Sequence, residues 1–598
     1  MILPVLRFVL NVCMLYGKGV FIYQIERCEE GDARRIVERA LAAGPAHLDP
    51  GLLRRAVRLG FDDRAIAHFA GLAPRDVRAR REAAGLRPTY KCVDTCAGEF
   101  PARTPYYYAT WEDEDEASAP RRRTAVVLGS GPIRIGQGIE FDYCTVHAVL
   151  ALRQAGWDAV VVNNNPETVS TDFDLSDRLY VEPLTPDDVR AVVEREGAQG
   201  VLVQFGGQTP LVAAMPLARE GVRILGTAPE SLDVSEDRHK FAALLRELRI
   251  PQPPGWTATT VDEAVAIGRR QGLPLLVRPS YVLGGRGMVI ARTLDDVEEA
   301  AREALAGAAA AGVPAPVLLD RYLAGLEVEL DAVADGTNLL VPAIMEQIER
   351  AGVHSGDSMA LLPARSVSGE VTARLLDYAA RIAWALRVRG FLNIQFVIWQ
   401  GQPYVLEVNL RASRTVPFVS KATGVPLVRL ATQVMLGRSL AELGYPGVRL
   451  LPPPARWAVK APVFSTGKLF GADPLLGPEM RSTGEVMGTG ATAAAALRRA
   501  FVAAGVPAQL GRRLLFSIAD RDKAQATALA ADAVRGGFTL VATSGTAAHF
   551  AAAGLPVEVL GAADAPALVR ARGVDVVINT PTRGHRPDRA GFALRRAA

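Results

Sequence analysis

Cysteine is scarce in this chain: five residues among 598. They stand at Cys13, Cys28, Cys92, Cys96 and Cys144. An odd, sparse set confined to the first quarter excludes a disulfide framework and reads as a protein of a reducing, cytoplasmic compartment. Cys92 and Cys96 have a C-x-x-x-C spacing, but neither a second pair nor a nearby histidine completes a zinc site. Long apolar runs are missing too. The opening stretch MILPVLRFVLNVCMLYGKGVFIY is apolar, yet Arg7, Asn11 and Lys18 interrupt it, and no run reaches the roughly 18 residues of a membrane span. No basic segment precedes it and no clear small-residue cleavage site follows, so residues 1–29 read as an extension without a membrane role. Neither sign of charge dominates. With 68 basic and 64 acidic residues the net charge is +4, which gives no electrostatic case for a nucleic-acid partner.

What is present is ordinary globular composition, 49% hydrophobic and 22% charged. The length exceeds one hydrophobic core, so about three to five domains are expected. Residues 30–121 read as a helical block closed by a charged linker, WEDEDEASAPRRR. Its segments DARRIVERALAAG and DDRAIAHFAGLAPRDVRARREAAG carry apolar residues at helical spacing. From 122 to 235, strands such as TAVVLGSGP and GVLVQFGGQTP alternate with helices, which predicts a parallel α/β domain. Gly129, Gly131, Gly136 and Gly138 are misplaced for a dinucleotide fingerprint, and Asn163–Asn165 stand where its acidic residue belongs. From 236 to 507 the strands PLLVRPS, APVLLDRYL, LEVELDAVAD and LLVPAIMEQI follow at short spacing, an α+β pattern with a largely antiparallel sheet. From 508 to 598 the pattern is doubly wound again.

Four stretches carry polar groups in patterns that suit chemistry. The first is VLEVNLRASR, Val405–Arg414. Alternate strand side chains share a face, so Glu407, Asn409 and Arg411 line up. Upstream, FLNIQFVIWQGQPYV sets Asn393 and Gln395 on one face, and QGQ at 400–402 reads as a hairpin turn. A turn centred on Gly401 brings Gln395 opposite Glu407. One carboxylate and two amide oxygens then form a hard-oxygen set suited to Mg²⁺ beside phosphates. Arg411 and Arg414 supply charge for a phosphoryl group in transfer, although a solvated polar strand would use the same residues. The second is VRPSYVLGGRGM, where Arg278 ends a strand and Gly284 and Gly285 follow; glycine-loop N–H groups can cover phosphates, and a hairpin tip would look alike. In the third, GLEVELDAV, Glu327 and Glu329 share a face, and Glu329 reads as solvated. The fourth, ERAGVHSGDSM, is a polar loop whose lone His354 reads as exposed, beside Ser355.

Together these pieces resemble an ATP-grasp enzyme, and more narrowly the large subunit of carbamoyl-phosphate synthetase. The resemblance spans roughly residues 30 to 598. It rests on YKCVDTCAGEF, GSGPIRIGQGIEFDYCTVHA, NNNPETVSTDFDLSDRLY, QFGGQTP, RPSYVLGGRGM, GVHSGDSM, RASRTVPFVSKATGVP and GPEMRSTGEVMG in the family's order. That large subunit holds two ATP-grasp halves. This chain holds one, and RTVPFVSKATGVP is similar to the second, carbamoyl phosphate-forming half. The resemblance implies an α/β multidomain protein: a helical oligomerisation domain, a pre-ATP-grasp α/β domain, an ATP-grasp α+β domain and a methylglyoxal-synthase-like α/β allosteric domain.

It also implies roles. Gln395 and Glu407 would share one metal ion, and Glu407 and Asn409 a second. Arg278, with Gly284 and Gly285, would meet the nucleotide phosphates, and Glu327 the ribose. Arg321 and Leu323 would lie beside adenine, and the loop Gly352, Val353, His354 and Ser355 would close on the nucleotide. Arg411 and Arg414, with Asn409, would hold carbamate and the moving phosphoryl group. The implied cofactors are ATP and two Mg²⁺ or Mn²⁺ ions, with K⁺ as a further candidate. The implied partners are the first, carboxyphosphate-forming half, a glutaminase small subunit supplying ammonia, and further copies of the chain. Thr543, Gly545, Thr546, Asn579 and Thr580 fall in ATSGTA and INTPT, which resemble the family's effector loops. Two departures stand out. Leu410 replaces the proline of many bacterial members, and the chain ends at FALRRAA, where the resemblance leads one to expect another strand and helix. The allosteric domain therefore reads as incomplete and as the least stable part, and the absence of lysine after Lys523 speaks against a uridine nucleotide effector. The competing readings are a non-catalytic nucleotide-binding assembly or regulatory subunit, a gene fragment, and a biotin-dependent carboxylase component.

Overall fold

The computed structural model describes residues 33–101, 104–280, 285, 287–310, 315–465, 475–507, 511–580 and 590–598. The apolar N-terminal stretch, with Cys13 and Cys28, and Gly284 lie outside them. The chain divides into two compact units. One comprises the described residues up to Ile133 with Phe141–Glu230 and Thr432–Gly437; the other comprises Arg134–Glu140, Ser231–Ala431 and Arg438–Ala598. Among the described residues no helix is long and apolar enough to cross a membrane.

The first unit opens with helices whose starts are set by aspartates. Asp49 and Asp62 accept the backbone N–H of Leu52 and Ala65, each at 2.7 Å, satisfying donors that a first helical turn leaves unpaired. Apolar residues at helical spacing, among them Leu53, Val57, Ile66 and Val77, then meet in one core. Beneath them the buried pair Asp63–Arg81 makes two bonds of 2.9 Å, and the guanidinium lies 5.1 Å from the Trp111 ring centre. A six-stranded sheet follows among the described residues. Its central strands, Thr124–Leu128 and Asp158–Val162, are buried at every residue, as unbroken apolar runs require of parallel strands covered on both faces.

One expectation needs correction. The helices expected before residue 88 are present, but the remainder of the segment to 121, read as helical block and linker, supplies two strands, Thr89–Cys92 and Tyr106–Thr110, which pair antiparallel and extend this sheet through Arg178–Tyr180. Threonine and tyrosine favour the half-buried sheet surface, and that outweighed the helical surroundings. The charge block is tied down as well. Lys91 bonds Glu114 at 2.9 Å and Glu116 at 3.0 Å, and Asp115 pairs with Arg195 at 2.6 Å.

Among the described residues the second unit holds three sheets. The small one is antiparallel and includes β1 (Leu275–Pro279) and β2 (Val317–Arg321), packed on helices Val261–Gln271 and Leu294–Ala310. The large one has nine strands. It contains β3 (Leu326–Asp335), β4 (Ile344–Gln347), β5 (Arg389–Trp399) and β6 (Gln402–Asn409) in the order β6–β5–β3–β4, and then runs through Ala360–Leu362, Trp457–Val463 and Gly484–Gly490. Its pairings are antiparallel apart from Leu339–Val341 with Val448–Leu450. The third sheet is parallel, in the order Glu558–Leu560, Thr539–Thr543, Arg513–Ser517, Val576–Asn579. The α+β and doubly wound patterns read from the sequence are both realised.

Removing one partner of a buried ion pair strands the other charge, so Asp63→Ala is expected to lower the stability of the helical block by about 3–5 kcal/mol. Thermal denaturation should then show Asp63→Leu combined with Arg81→Met recovering much of the loss. A neutral Asp63→Ala would contradict the pairing.

Candidate functional site

The site is built on the β5–β6 hairpin. Gln400 and Gly401 form a two-residue turn with φ of 51° and 76°, the twist-matched geometry for a tight hairpin, and Trp399 pairs with Gln402. Counted from that turn alone, Gln395 would face Leu406. A β-bulge intervenes: Phe396 pairs with Val405 and Gln395 with Glu407, leaving Leu406 as the extra residue. The sequence expectation of Gln395 opposite Glu407 is met, through a shifted turn and a compensating bulge. β6 ends at Asn409, so Arg411 lies past the strand and not on its face as expected. Leu410, the departure from the family's proline, is fully buried.

A buried polar row runs across one face of the sheet, from β6 through β5 to β3. Asn409 Nδ2 donates to Glu407 Oε1 at 3.0 Å and to Asn393 Oδ1 at 3.2 Å. Asn393 Nδ2 donates in turn to Glu329 Oε1 at 2.7 Å and Asp331 Oδ1 at 2.9 Å. Ser413 and Thr415 each donate to Asp331 at 2.6 Å. Glu329 is 3% exposed, which corrects its reading as a solvated residue. Asp331 escaped the sequence reading, although the alternation E-x-E-x-D in LEVELD places it on the same face as Glu327 and Glu329.

Three separate motifs converge nearby. Gly352 N–H donates to Glu327 Oε1 at 2.9 Å, and His354 N–H to the Gly477 carbonyl at 2.8 Å. Lys460, 1% exposed, donates to the Ser355 carbonyl at 2.9 Å. Asp357 accepts the N–H groups of Arg481 and Ser482 at 2.7 and 2.9 Å, joining GVHSGDSM to GPEMRSTGEVMG. Gly285 has φ of 70°, and a Cβ there would overlap the Pro478 carbonyl oxygen, so only glycine fits. Met480 receives the Arg134 guanidinium on its carbonyl, and Arg414 Nη1 lies 3.4 Å from its sulfur. Val353 and Leu323 are buried, and Leu323 packs with Ala351, Val397, Tyr322, Trp399 and Tyr404. Arg321 Nη1 is spent on the Gln271 carbonyl at 2.6 Å, and Arg278 pairs with Asp320 at 3.5 Å. Arg134, Glu140, Lys460, Met480 and Glu485 were not anticipated, because their neighbours are remote in sequence.

Burial governs the protonation of this region. It pushes Glu327 up to about 7, with Glu329 adding to the shift and the Gly352 N–H opposing it. Glu140 is likewise pushed up to about 7 by burial and Glu485, against Arg414 and Lys460. Burial also raises the paired carboxyls of Glu329 and Asp331. His354 is driven the other way, down to about 3, by burial and by Arg414, Arg134 and Lys460. It is therefore neutral at physiological pH, in keeping with Nδ1 accepting the Gly356 N–H at 3.0 Å. The half-buried imidazole corrects the expectation of an exposed loop histidine. Burial lowers Arg411 as well, opposed by Glu407 and Glu236.

Among the described residues no group of three His, Cys, Asp or Glu side chains could hold a metal ion, Cys92 and Cys96 included. The donors on the hairpin are of another kind: one carboxylate, Glu407, and the amides Gln395 and Asn409. These are hard oxygen ligands of the sort Mg²⁺ and Mn²⁺ accept, so the residues fit such an ion.

At the third sheet the residues of ATSGTA and INTPT lie at strand ends and at the start of the helix Ser544–Ala552. Thr546 Oγ1 accepts the Ile518 N–H at 3.0 Å, and Thr580 Oγ1 the Ala519 N–H at 2.8 Å. Asn579 Nδ2 donates to the Ser517 carbonyl at 3.0 Å, Thr543 and Thr546 hydroxyls lie 3.4 Å apart, and Lys523 donates to the Gly545 carbonyl at 2.8 Å.

The two antiparallel sheets with their packed helices form an ATP-grasp fold, and comparison with known proteins narrows the class. Residues 121–234 match the carbamoyl phosphate synthase preATP-grasp domain, 237–443 the carbamoyl-phosphate synthase L chain ATP binding domain, and 525–598 the MGS-like domain. The carbamoyl phosphate synthase large chain of Thermomicrobium roseum is 51% identical over 590 residues, covering 97% of this chain and 54% of that one. The large chain of Thermoanaerobacter pseudethanolicus is 49% identical over 553 residues, covering 92% and 51%. A solved biotin carboxylase domain, from the 2-oxoglutarate carboxylase of Hydrogenobacter thermophilus, is 18% identical over 58% of this chain and 77% of that one, with a TM-score of 0.48. The chain belongs to the carbamoyl phosphate synthase large-chain family and spans about half the length of the curated relatives it matches.

Glu327 holds its proton more tightly folded than unfolded. Its contribution to stability is full below about 4.5 and is lost as pH rises through about 7. Glu327→Gln keeps the acceptor for Gly352 and removes the titration. Relative to the parent, its thermal midpoint is expected to rise between about pH 5 and about pH 8, equivalent to roughly 1–3 kcal/mol. A difference independent of pH would contradict a buried carboxyl at this position.

Proposed function

We propose that this chain phosphorylates carbamate with ATP, giving carbamoyl phosphate and ADP. The observation that carries the reading is the hairpin register, which sets Gln395 across from Glu407 and leads straight from Asn409 into Arg411 and Arg414. In the reaction a carbamate oxygen attacks the γ-phosphorus in line. The bond from that phosphorus to the β–γ bridging oxygen breaks, and ADP leaves with the electron pair. No covalent intermediate with the protein is required, so the chain contributes positioning and charge.

Arg411 and Arg414 hold the carbamate and balance charge on the phosphoryl oxygens. Because His354 is neutral, the loop that closes beside Arg414 adds no competing cation. Arg278 and the Gly285 loop face the phosphates, Glu327 takes the ribose hydroxyls, and the segment from Arg321 to Leu323 with its apolar cluster takes adenine. Gln395, Glu407 and Asn409 would hold two Mg²⁺ or Mn²⁺ ions, which when bound neutralise the β- and γ-phosphates; K⁺ is a further candidate ion. The same reading makes the chain the second half of a glutamine-dependent synthetase feeding pyrimidine and arginine biosynthesis. Its partners are then the carboxyphosphate-forming half and a glutaminase subunit, with Thr543, Gly545, Thr546, Asn579 and Thr580 at an effector site. Support for this assignment comes from the likeness of RTVPFVSKATGVP to that half and from the large-chain relatives.

The test is the reverse half-reaction: ATP formation from MgADP and carbamoyl phosphate by the purified chain. Activity is expected, falling by about 100-fold or more in Glu407→Gln, as removal of a charge-stabilising group does. Folded protein that binds MgATP and makes no ATP would favour a non-catalytic assembly subunit.

A further inference from the structure

Amide ligands raise a problem of orientation. The two ends of an asparagine side chain have nearly the same shape, and only the oxygen end serves a cation. Something must decide which end of Asn409 is presented. The buried polar row that runs from β6 across β5 to β3 supplies a one-way chain of donors. Asn393 Nδ2 gives its two hydrogens to the carboxylates of Glu329 and Asp331, at 2.7 and 2.9 Å. An ionised carboxylate accepts and does not donate, so with both groups ionised Asn393 is turned one way, with Oδ1 toward β6. That oxygen takes one hydrogen of Asn409 Nδ2 at 3.2 Å, and Glu407 Oε1 takes the other at 3.0 Å. Both donors of Asn409 are thereby spent on the protein, and Oδ1 is the atom left for a cation.

The chain ends on Asp331. It lies directly across from Asn393 in the β3–β5 register and is 1% exposed. Besides Asn393 it accepts Ser413 Oγ and Thr415 Oγ1, each at 2.6 Å. Those two residues flank Arg414. Asp331 thus shares with Glu329 the task of orienting Asn393, and through it Asn409, and it also holds the residues on both sides of the proposed phosphoryl-binding arginine.

We propose that Asp331 is a positioning residue that, through Asn393, turns the Asn409 amide oxygen toward the cation and, through Ser413 and Thr415, holds Arg414 in place. This rests on the metal-binding reading of Gln395, Glu407 and Asn409. Replacing Asp331 by asparagine puts an N–H group among three donors. Asn393 then keeps only the Glu329 carboxylate to fix its orientation, so it and Asn409 behind it are held less strictly.

The experiment measures Mn²⁺ binding to the full chain in the presence of ADP, from the electron paramagnetic resonance signal of free Mn²⁺, for the parent, Asp331→Asn, Thr415→Val and Glu407→Gln. Thermal midpoints are recorded without metal, and the Mn²⁺ dependence of ATP formation is recorded in parallel. Outer-shell partners of a metal site typically govern about 10–100-fold in affinity, so Asp331→Asn is expected to weaken Mn²⁺ binding by that factor. Thr415→Val, which leaves Asp331 charged and removes one of its donors, is expected to weaken it by roughly 3–10-fold. A purely structural role would lower the thermal midpoint and leave the affinity of the folded protein alone. If Asp331→Asn does not fold, Thr415→Val decides. Folded variants binding Mn²⁺ within about twofold of the parent overturn the proposal, since outer-shell effects exceed that. When Glu407→Gln abolishes binding in the same series, only the positioning role has failed. When Glu407→Gln is also silent, the metal site falls, and this inference with it.

Discussion

The pairing of β5 with β6 is the constraint on which the site depends. Strand side chains alternate with a period of two, so a slip of one residue would turn Glu407 and Asn409 away from Gln395. Two local features hold the register between them. The Gln400–Gly401 turn fixes the start of the ladder, and the bulge at Leu406 returns the one residue that a two-residue turn would otherwise cost. The far edge is held as well, since Val405 N–H donates to the Pro251 carbonyl at 2.9 Å. Sequence, local geometry and chemistry meet in eight residues of β6.

Charge of both signs is gathered beside that hairpin. One set is acidic: Glu329, Asp331 and Glu140 are buried and Glu327 is half-buried, and all four are raised by burial, Glu327 and Glu140 to about 7. The cationic counterpart is Arg414, Arg134 and Lys460, whose combined field helps drive His354 down to about 3. A buried carboxylate is tolerated only when its lone pairs are used, and those of Asp331 are: three donors converge on it. The hydroxyls of Ser413 and Thr415 therefore do more than fill space. They allow an ionisable group to stay buried across from Asn393 and keep its orientation.

How much of this was legible in the sequence depended on the reach of each interaction. Alternating strands and helices predicted the parallel sheets, and the short-spaced strands predicted the antiparallel one. The strands at 89–92 and 106–110 were missed because each is short and the tyrosine-rich residues sit beside a charged block. Gln395 and Glu407 were paired correctly from the nearby turn, yet the bulge itself left no trace, since VLEV shows no break in pattern. Glu329 was misassigned because an isolated glutamate is usually exposed. Its partners Asn393 and Thr415 lie 64 and 86 residues away, and no local pattern announces them. His354 was misread for the same reason, its cover arriving from the segment around Gly477. Local geometry was readable; burial by distant segments was not.

The central claim is that the hairpin register assembles an oxygen site for divalent ions. Crystals of the chain grown with ADP and Mn²⁺, measured at the manganese absorption edge, test it without reference to turnover. Anomalous density beside Gln395, Glu407 and Asn409 is the predicted result. Well-ordered nucleotide with manganese held elsewhere, or a hairpin in which Gln395 no longer faces Glu407, would contradict it.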